Sequence, residues 1–153
     1  MTAPLNVSAS RIANTTGYNE YAQAVGVYRL LGYALGINLN SLNLDNPVVL
    51  SLIPNAGAGT VNYKVLAITV NNASVNLTTA QLAVYTAAAA GGTNLAAAQV
   101  LTTLAAATND LALTLATGAT TSYQTANTLY VRNTTAQGAA AVGDVYIWGW
   151  VYP

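Results

Sequence analysis

Side chains that perform acid–base and nucleophilic chemistry are scarce in this chain. It has no His and no Cys, and Lys64 is its only lysine. General acid–base catalysis relies on His, Lys, Tyr or a tuned carboxylate pair, and a Ser or Thr nucleophile needs a neighbouring base. No two carboxylates lie close in sequence; they are Glu20, Asp45, Asp110 and Asp144. We therefore expect no catalytic residues and no enzymatic activity.

One short segment has the oxygen ligands that a metal ion prefers. Asn43, Asp45 and Asn46 together offer amide and carboxylate oxygens to a hard cation such as Ca²⁺. A single carboxylate gives weak affinity, however, and Asn- and Asp-rich turns form for backbone reasons alone. Thiolate and imidazole sites are excluded because the chain has neither Cys nor His. The sequence thus favours a turn here, and we expect no metal and no cofactor.

The low charge of the chain limits its partners. Only eight of 153 residues are charged and the formal net charge is zero, against about 25% charged residues in an ordinary soluble domain. The four cations are too few and too scattered to follow a phosphate backbone. No apolar run approaches the roughly 18–20 residues of a membrane-spanning helix. We expect neither a nucleic acid nor a membrane as partner, and a function based on presenting surface to other copies or to a neighbouring protein.

The segment 144–152 has the strongest strand pattern in the chain. Four residues with small or aliphatic side chains alternate with four aromatic ones, so the two sets point to opposite faces. The first set is Val145, Ile147, Gly149 and Val151, and the second is Tyr146, Trp148, Trp150 and Tyr152. A free edge strand of this kind would promote aggregation. A central core strand is the favoured interpretation, and a subunit contact through the aromatic residues is the alternative.

Further strand patterns, separated by Gly-, Pro- and Asn-rich turns, predict an all-β sandwich or barrel. Between residues 61 and 70, alternation places Tyr63, Val65 and Ala67 on one face and Lys64 and Ile68 on the other. The other predicted strands span residues 28–38, 48–53, 81–86, 111–115 and 128–132. One short helix is expected over 94–104, where apolar residues recur every three positions. Lys64 and Arg132 are isolated charges, for which solvated side chains are favoured over interface pairs.

The first part of the chain differs in composition from the rest. It has several tyrosines with Gly and Asn between them, which predicts an N-terminal arm over residues 1–36 and a β-sandwich domain over 37–153. The alternative is that these residues form the first strands of the sandwich. The candidate contact residues come from the arm and from the last strand: Tyr18, Tyr21, Tyr28, Arg29, Tyr146, Trp148, Trp150 and Tyr152.

Several of these strand and turn motifs also resemble a known group of proteins. The similarity covers roughly residues 37–150 and links short strands through similar turns. The motifs include Tyr63-Lys64-Val65, Ile68-Thr69-Val70-Asn71-Asn72-Ala73-Ser74, Val84-Tyr85-Thr86-Ala87, Thr128-Leu129-Tyr130-Val131-Arg132 and Asp144-Val145-Tyr146-Ile147-Trp148-Gly149. In this pattern the chain resembles small structural proteins of tailed bacteriophages, most closely the head decoration (cement) proteins.

The resemblance implies a jelly-roll-like antiparallel β-sandwich without catalytic residues. Such a protein binds the outside of the capsid, usually as a dimer or trimer, and clamps neighbouring capsid subunits. Its partners would be the major capsid protein and itself, and its location the virion exterior after synthesis in the bacterial cytoplasm. The alternative is a tail, baseplate or head-fibre component that binds a host glycan, for which Trp148 and Trp150 would supply exposed rings.

Overall fold

The computed structural model describes residues 28–50, 62–106 and 110–152. Within these ranges the chain forms eight strands and one five-residue helix. The strands are β1 (Arg29–Asn38), β2 (Asp45–Val49), β3 (Asn62–Asn71), β4 (Gln81–Ala87), β5 (Gly91–Val100), β6 (Leu111–Ala112), β7 (Thr128–Thr135) and β8 (Val142–Tyr152), and the helix α1 is Thr117–Thr121. Such a helix is far too short and polar to cross a membrane, and none in the described ranges is long and apolar enough.

The strands form two four-stranded sheets that pack face to face. Their orders are β1-β8-β3-β6 and β2-β7-β4-β5, with every pairing antiparallel. The pairs β1–β8, β2–β7, β3–β6 and β4–β5 are those of one long hairpin, and β3–β8 and β4–β7 arise when that hairpin is wound into two layers. This is the strand order of an eight-stranded jelly roll. The expected all-β, jelly-roll-like sandwich is thereby confirmed.

Strand β8 lies between β1 and β3, as the favoured interpretation of its sequence required. Its small and aliphatic residues point into the core, where Val145 and Ile147 are fully buried, and its aromatic residues point outward. The core lies between the sheets and is made mainly of Leu, Ile and Val. Its largest fully buried members include Leu31, Leu50, Tyr63, Ile68, Leu82, Leu95, Leu129 and Ile147.

The face assignment predicted for β3 is correct only for its first half. Tyr63 and Val65 are buried, in agreement with the expected alternation. Ile68 was expected on the opposite face, with Lys64, but it is buried as well. The pairing with β8 shifts register between Val65 and Ala67, which marks a β-bulge. A bulge adds one residue to a strand, so it reverses the faces of all following side chains.

The helix predicted over residues 94–104 is wrong. Most of this segment belongs to β5, which pairs with β4 through several register shifts. The irregular pairing buries the adjacent residues Leu95 and Ala96, and Ala98 of the three-residue series is exposed, so the series does not form one buried face. The one helix of the described ranges is α1, in a segment for which the sequence predicted no helix. It has no side-chain cap, and Ala119 fixes it to the core by complete burial.

Strand β1 starts at Arg29 and pairs with β8 along its length. It is the first strand of the sandwich among the described residues, and the boundary expected between residues 36 and 37 falls inside it. Strand β4 agrees with the prediction for residues 81–86. Residues 1–27, with Tyr18 and Tyr21, lie outside the described residues, as does the second half of the strand expected over 48–53.

The loops at one end of the sandwich are tied together by the side chain of Gln137. Its Oε1 accepts hydrogen bonds from the backbone N–H groups of Thr78, Thr79 and Ala80 at 3.0, 3.2 and 3.2 Å. Its Nε2 donates to the Thr78 hydroxyl at 3.0 Å. These bonds join the β3–β4 loop to the β7–β8 loop and hold the ends of both sheets in register.

Candidate functional site

The outer surface of the β1-β8-β3-β6 sheet has a cluster of aromatic side chains, which we call the aromatic face. Because side chains alternate along a strand, residues two apart on β8 share this surface. Tyr33 stands opposite Tyr146 in the pairing of β1 with β8, so it points to the same side. The aromatic face comprises Tyr28, Tyr33, Tyr123, Tyr146, Trp148, Trp150 and Tyr152.

Rings from the start of β1 stack on rings of β8. The Tyr28 and Trp148 centroids are 5.8 Å apart, with the planes 7° from parallel. Those of Tyr33 and Tyr146 are 6.2 Å apart at 29°. Offset-stacked aromatic pairs contribute roughly 0.5–1.5 kcal/mol beyond their buried area. The two tyrosines therefore stabilise the orientation of the β8 rings with which they stack.

A third ring pair lies at the end of the sheet near Tyr152. The Tyr123 ring meets that of Tyr152 edge to face, with centroids 4.7 Å apart and planes at 70°. Partial desolvation raises the pKa of Tyr152, and the nearby hydroxyl of Tyr123 raises it further. Tyr123 lies in the loop between α1 and β7, where no periodic pattern points to a surface, so reasoning from the sequence missed it.

Much of this aromatic area is open to solvent. Tyr28, Tyr33, Trp150 and Tyr123 are 52%, 47%, 36% and 59% exposed. Scattered exposed apolar residues are ordinary, but a contiguous cluster on one sheet marks an interaction surface. Tyr and Trp suit such a surface because they bury large areas and lose little conformational entropy. The arrangement is therefore equipped for binding.

Polar groups lie among these rings on the β3 side of the face. The Trp148 Nε1–H donates to the Thr69 hydroxyl over a long 3.4 Å. Lys64 stands opposite Trp150 in the β3–β8 pairing and is half-buried. Its ammonium has no ion pair or hydrogen bond within residues 28–50, 62–106 and 110–152. Lys64 is thus a cation within the aromatic face that no described residue pairs with.

Asp144 begins the outward row of β8, but its oxygens are used in the fold. Oδ1 accepts a hydrogen bond from the Gly36 N–H at 2.7 Å, and Oδ2 accepts one from Asn72 Nδ2 at 2.9 Å. Gly36 has a φ of +62°, in a bulge of β1 that few residues other than glycine adopt easily. The nearly buried carboxylate therefore anchors this bulge beside the aromatic face.

The remaining candidate contact residues do not all join this surface. Arg29 stands opposite Gly149, which belongs to the inward-facing set of β8, so its register differs from that of the aromatic residues. Tyr18 and Tyr21 fall outside the described residues. The structure thus brings five of the sequence-derived candidates together, and these are Tyr28, Tyr146, Trp148, Trp150 and Tyr152.

The outer surface of the other sheet is different in chemistry. Arg132 Nη1 lies 2.8 Å from Asp45 Oδ1, and both side chains are largely buried. Asp45 Oδ2 also accepts the N–H of Ala89 at 2.7 Å. Burial raises the pKa of Asp45, but these two partners outweigh it and the net pKa lies below the ordinary 3.8. The solvated side chain expected for Arg132 is therefore wrong, because it pairs within the fold.

In the part of the chain that the structure describes, no three Asp, Glu, His or Cys residues come together in a group that could hold a metal ion. The oxygens of Asp45 are occupied by Arg132 and Ala89. Asn43, two residues earlier, has a left-handed φ of 58°, which Asn tolerates better than most residues. Asn43 lies in the turn before β2, whereas Asp45 and Asn46 belong to β2 and pair with β7, so the turn that the sequence favoured covers only the first part of this segment.

Comparison with known proteins gives no relative for this chain. No family model, no curated protein and no solved structure matches it significantly.

Proposed function

We propose that this protein is a structural component of a tailed-phage virion that binds the outer surface of the capsid and stabilises the head by joining neighbouring capsid subunits. The observation that carries the proposal is the aromatic face, a cluster of partly exposed Tyr and Trp rings on one sheet. Buried aromatic residues supply most of the binding energy at protein interfaces. The choice of partner rests on the resemblance of the strand and turn motifs to those of phage decoration proteins.

The composition supports a role on a repetitive surface. A capsid presents many equivalent sites, so an oligomer that contacts several of them gains affinity from a high effective concentration. With only eight charged residues in the chain, contacts depend mainly on apolar area and neutral hydrogen bonds. Such contacts vary little with salt, because few charges are available for screening. Self-association as a dimer or trimer is part of the proposal.

The fold agrees with this role without deciding it. Jelly-roll sandwiches occur in viral capsid proteins and in lectins, and one fold serves unrelated functions. The lectin alternative would require a free aromatic ring against which a sugar stacks. Trp148 stacks with Tyr28 and Tyr146 with Tyr33, but Tyr28, Tyr33 and Trp150 stay partly exposed. Exposed rings suit a sugar as well as a protein, so the resemblance to decoration proteins is what favours a protein partner over a host glycan.

Co-sedimentation with phage particles tests the proposal. The full chain is mixed with mature expanded heads that lack it and, separately, with isolated tails. We expect saturable binding to heads at a fixed ratio to capsid subunits, with little change between low and high salt. Sedimentation velocity of the free chain should show a dimer or trimer. Binding only to tails, or to neither particle, contradicts the proposal, and binding to a host glycan supports the alternative.

A further inference from the structure

Lys64 is the one charged side chain placed within the aromatic face without a partner in the described part of the chain. Its Cα stands opposite that of Trp150 on the neighbouring strand. Its neighbours Tyr63 and Val65 are buried in the core, so alternation points Lys64 outward with the aromatic rings. A partner that covers Trp150 therefore covers Lys64 as well.

Covering this ammonium has an energetic consequence for the partner. Removing a lone charge from water is strongly unfavourable unless an opposite charge and hydrogen bonds replace the lost hydration. Nothing on the described surface supplies that charge. Arg132, in contrast, is already paired with Asp45, and the carboxylate of Asp144 is bonded to Gly36 and Asn72.

We propose that the surface bound by the aromatic face has a carboxylate placed to pair with Lys64, inside a contact that is otherwise apolar. This inference rests on the proposed function and adds the chemistry of the partner site. The pair fixes the register of the docked sheet, because only one placement brings the carboxylate to the lysine. Complementary charges of this kind contribute specificity more than affinity.

Replacing Lys64 with methionine separates the two kinds of partner. Lys64→Met keeps the length of the side chain and removes its charge. If the partner has a carboxylate, that group is left buried and unpaired, and affinity for heads should fall about 30-fold or more. If the partner surface is purely apolar, the variant no longer has to desolvate an ammonium, and affinity should rise. The two cases therefore differ in the sign of the change.

Two further variants complete the test. Lys64→Arg keeps the charge and should stay within about tenfold of the unchanged chain, which is a single step of roughly 1.4 kcal/mol. Arg29→Met removes a cation of the same sheet whose pairing places it off the aromatic face, and for that reason it should change binding by less than about twofold. Circular dichroism and melting curves of all three variants establish that they are folded.

The outcome separates this inference from the function on which it rests. A fall with Lys64→Met and retention with Lys64→Arg supports the carboxylate. Unchanged or tighter binding by Lys64→Met overturns it and leaves the capsid-binding proposal intact. An unchanged chain that fails to bind heads overturns both.

Discussion

The outer surfaces of the two sheets differ in how their charged and aromatic side chains are paired. On the β2-β7-β4-β5 sheet the charges are paired within the fold, as in Asp45 with Arg132. Tyr85 and Tyr130 stand opposite each other there, half-buried, and among the described residues they make no ring pair like those on the other sheet. On the β1-β8-β3-β6 sheet, exposed rings cluster around Lys64, which has no partner in the described ranges. The charges on the β2-β7-β4-β5 sheet are paired within the fold, whereas the aromatic face is suited to a partner.

The difference separates the side chains that stabilise the fold from those that are available to bind a partner. Both sheets contribute buried Leu, Ile and Val to a common core, so both are equally necessary for folding. Their outer surfaces do not contribute to this core and can therefore differ. Aromatic rings that stay partly exposed gain little in the free protein and much when a partner covers them. The contrast between the two outer surfaces therefore supports the aromatic face as the binding surface. The core, to which both sheets contribute, makes no such distinction.

The largest expected effect is on the support of the aromatic face. A methyl group at Gly149 would collide with the backbone carbonyl oxygen of Lys64 on β3, so Gly149→Ala forces β8 away from its neighbour. We expect a loss of about 3 kcal/mol or more in the free energy of unfolding, measured by urea denaturation. Gly143→Ala on the same strand is the control, because its nearest neighbour would be the Leu39 side chain at 3.3 Å. A similar loss in both variants contradicts this explanation.

The next effect concerns binding. Trp150→Ala removes the most exposed ring of β8, and we expect affinity for heads to fall about 30-fold, the equivalent of ~2 kcal/mol at an interface hot spot. Tyr85→Ala, on the outer surface of the opposite sheet, should leave binding unchanged. Co-sedimentation at graded concentrations measures both. Equal losses would mean that the two sheets do not differ in function.

The ion pair between Asp45 and Arg132 should make the free energy of unfolding depend on pH. The pKa of Asp45 is lowered in the folded state, so the carboxylate stabilises the fold above its ordinary pKa of 3.8 and loses this effect as pH falls through the lower folded value. We expect Asp45→Asn to cost about 1 kcal/mol at pH 7, with the difference from the unchanged chain disappearing in strong acid. Thermal unfolding from pH 7 to pH 2 measures it. A difference that stays constant over this range would show that the charge is irrelevant.

The smallest expected effect lies in the β4–β5 hairpin of the same sheet. Ala89 and Ala90 have left-handed φ values of 57° and 60°, which suit Asn-Gly far better than Ala-Ala. The double variant Ala89→Asn, Ala90→Gly should raise the free energy of unfolding by about 1 kcal/mol and the melting temperature by roughly 2–4 °C. Ala97→Gly, at an exposed position in β5, should lower it instead. A decrease in both variants would mean that the turn is not strained.

Sequence patterns were sufficient wherever strands alternate regularly. The two faces of β8 and the bounds of β4 follow directly from the order of side chains. The patterns failed at irregular pairing. A bulge near Ala67 reversed the faces of the second half of β3, and the segment with a helix-like apolar spacing is β5, a strand with several register shifts. Bulges depend on the partner strand, and a single segment of sequence contains no record of it.

The candidate surface shows the same limit. The outward row of β8 was visible in its alternation, but its relation to Tyr28 and Tyr33 depends on the pairing of strands more than a hundred residues apart. Tyr123 reaches the face from a loop without any periodic signal. The pairing of Asp45 with Arg132, and hence the contrast between the sheets, also arises only in the assembled fold.

Oxidative footprinting of the full chain, free and bound to heads, tests the central claim most directly. The method reads the solvent exposure of individual Trp and Tyr side chains, which occur on both sheets. We expect Tyr28, Tyr33 and Trp150 to be protected on binding, and Tyr85 and Tyr130 to react as they do in the free protein. Protection of the latter two with continued reaction of Trp150 would contradict the assignment of the aromatic face as the binding surface.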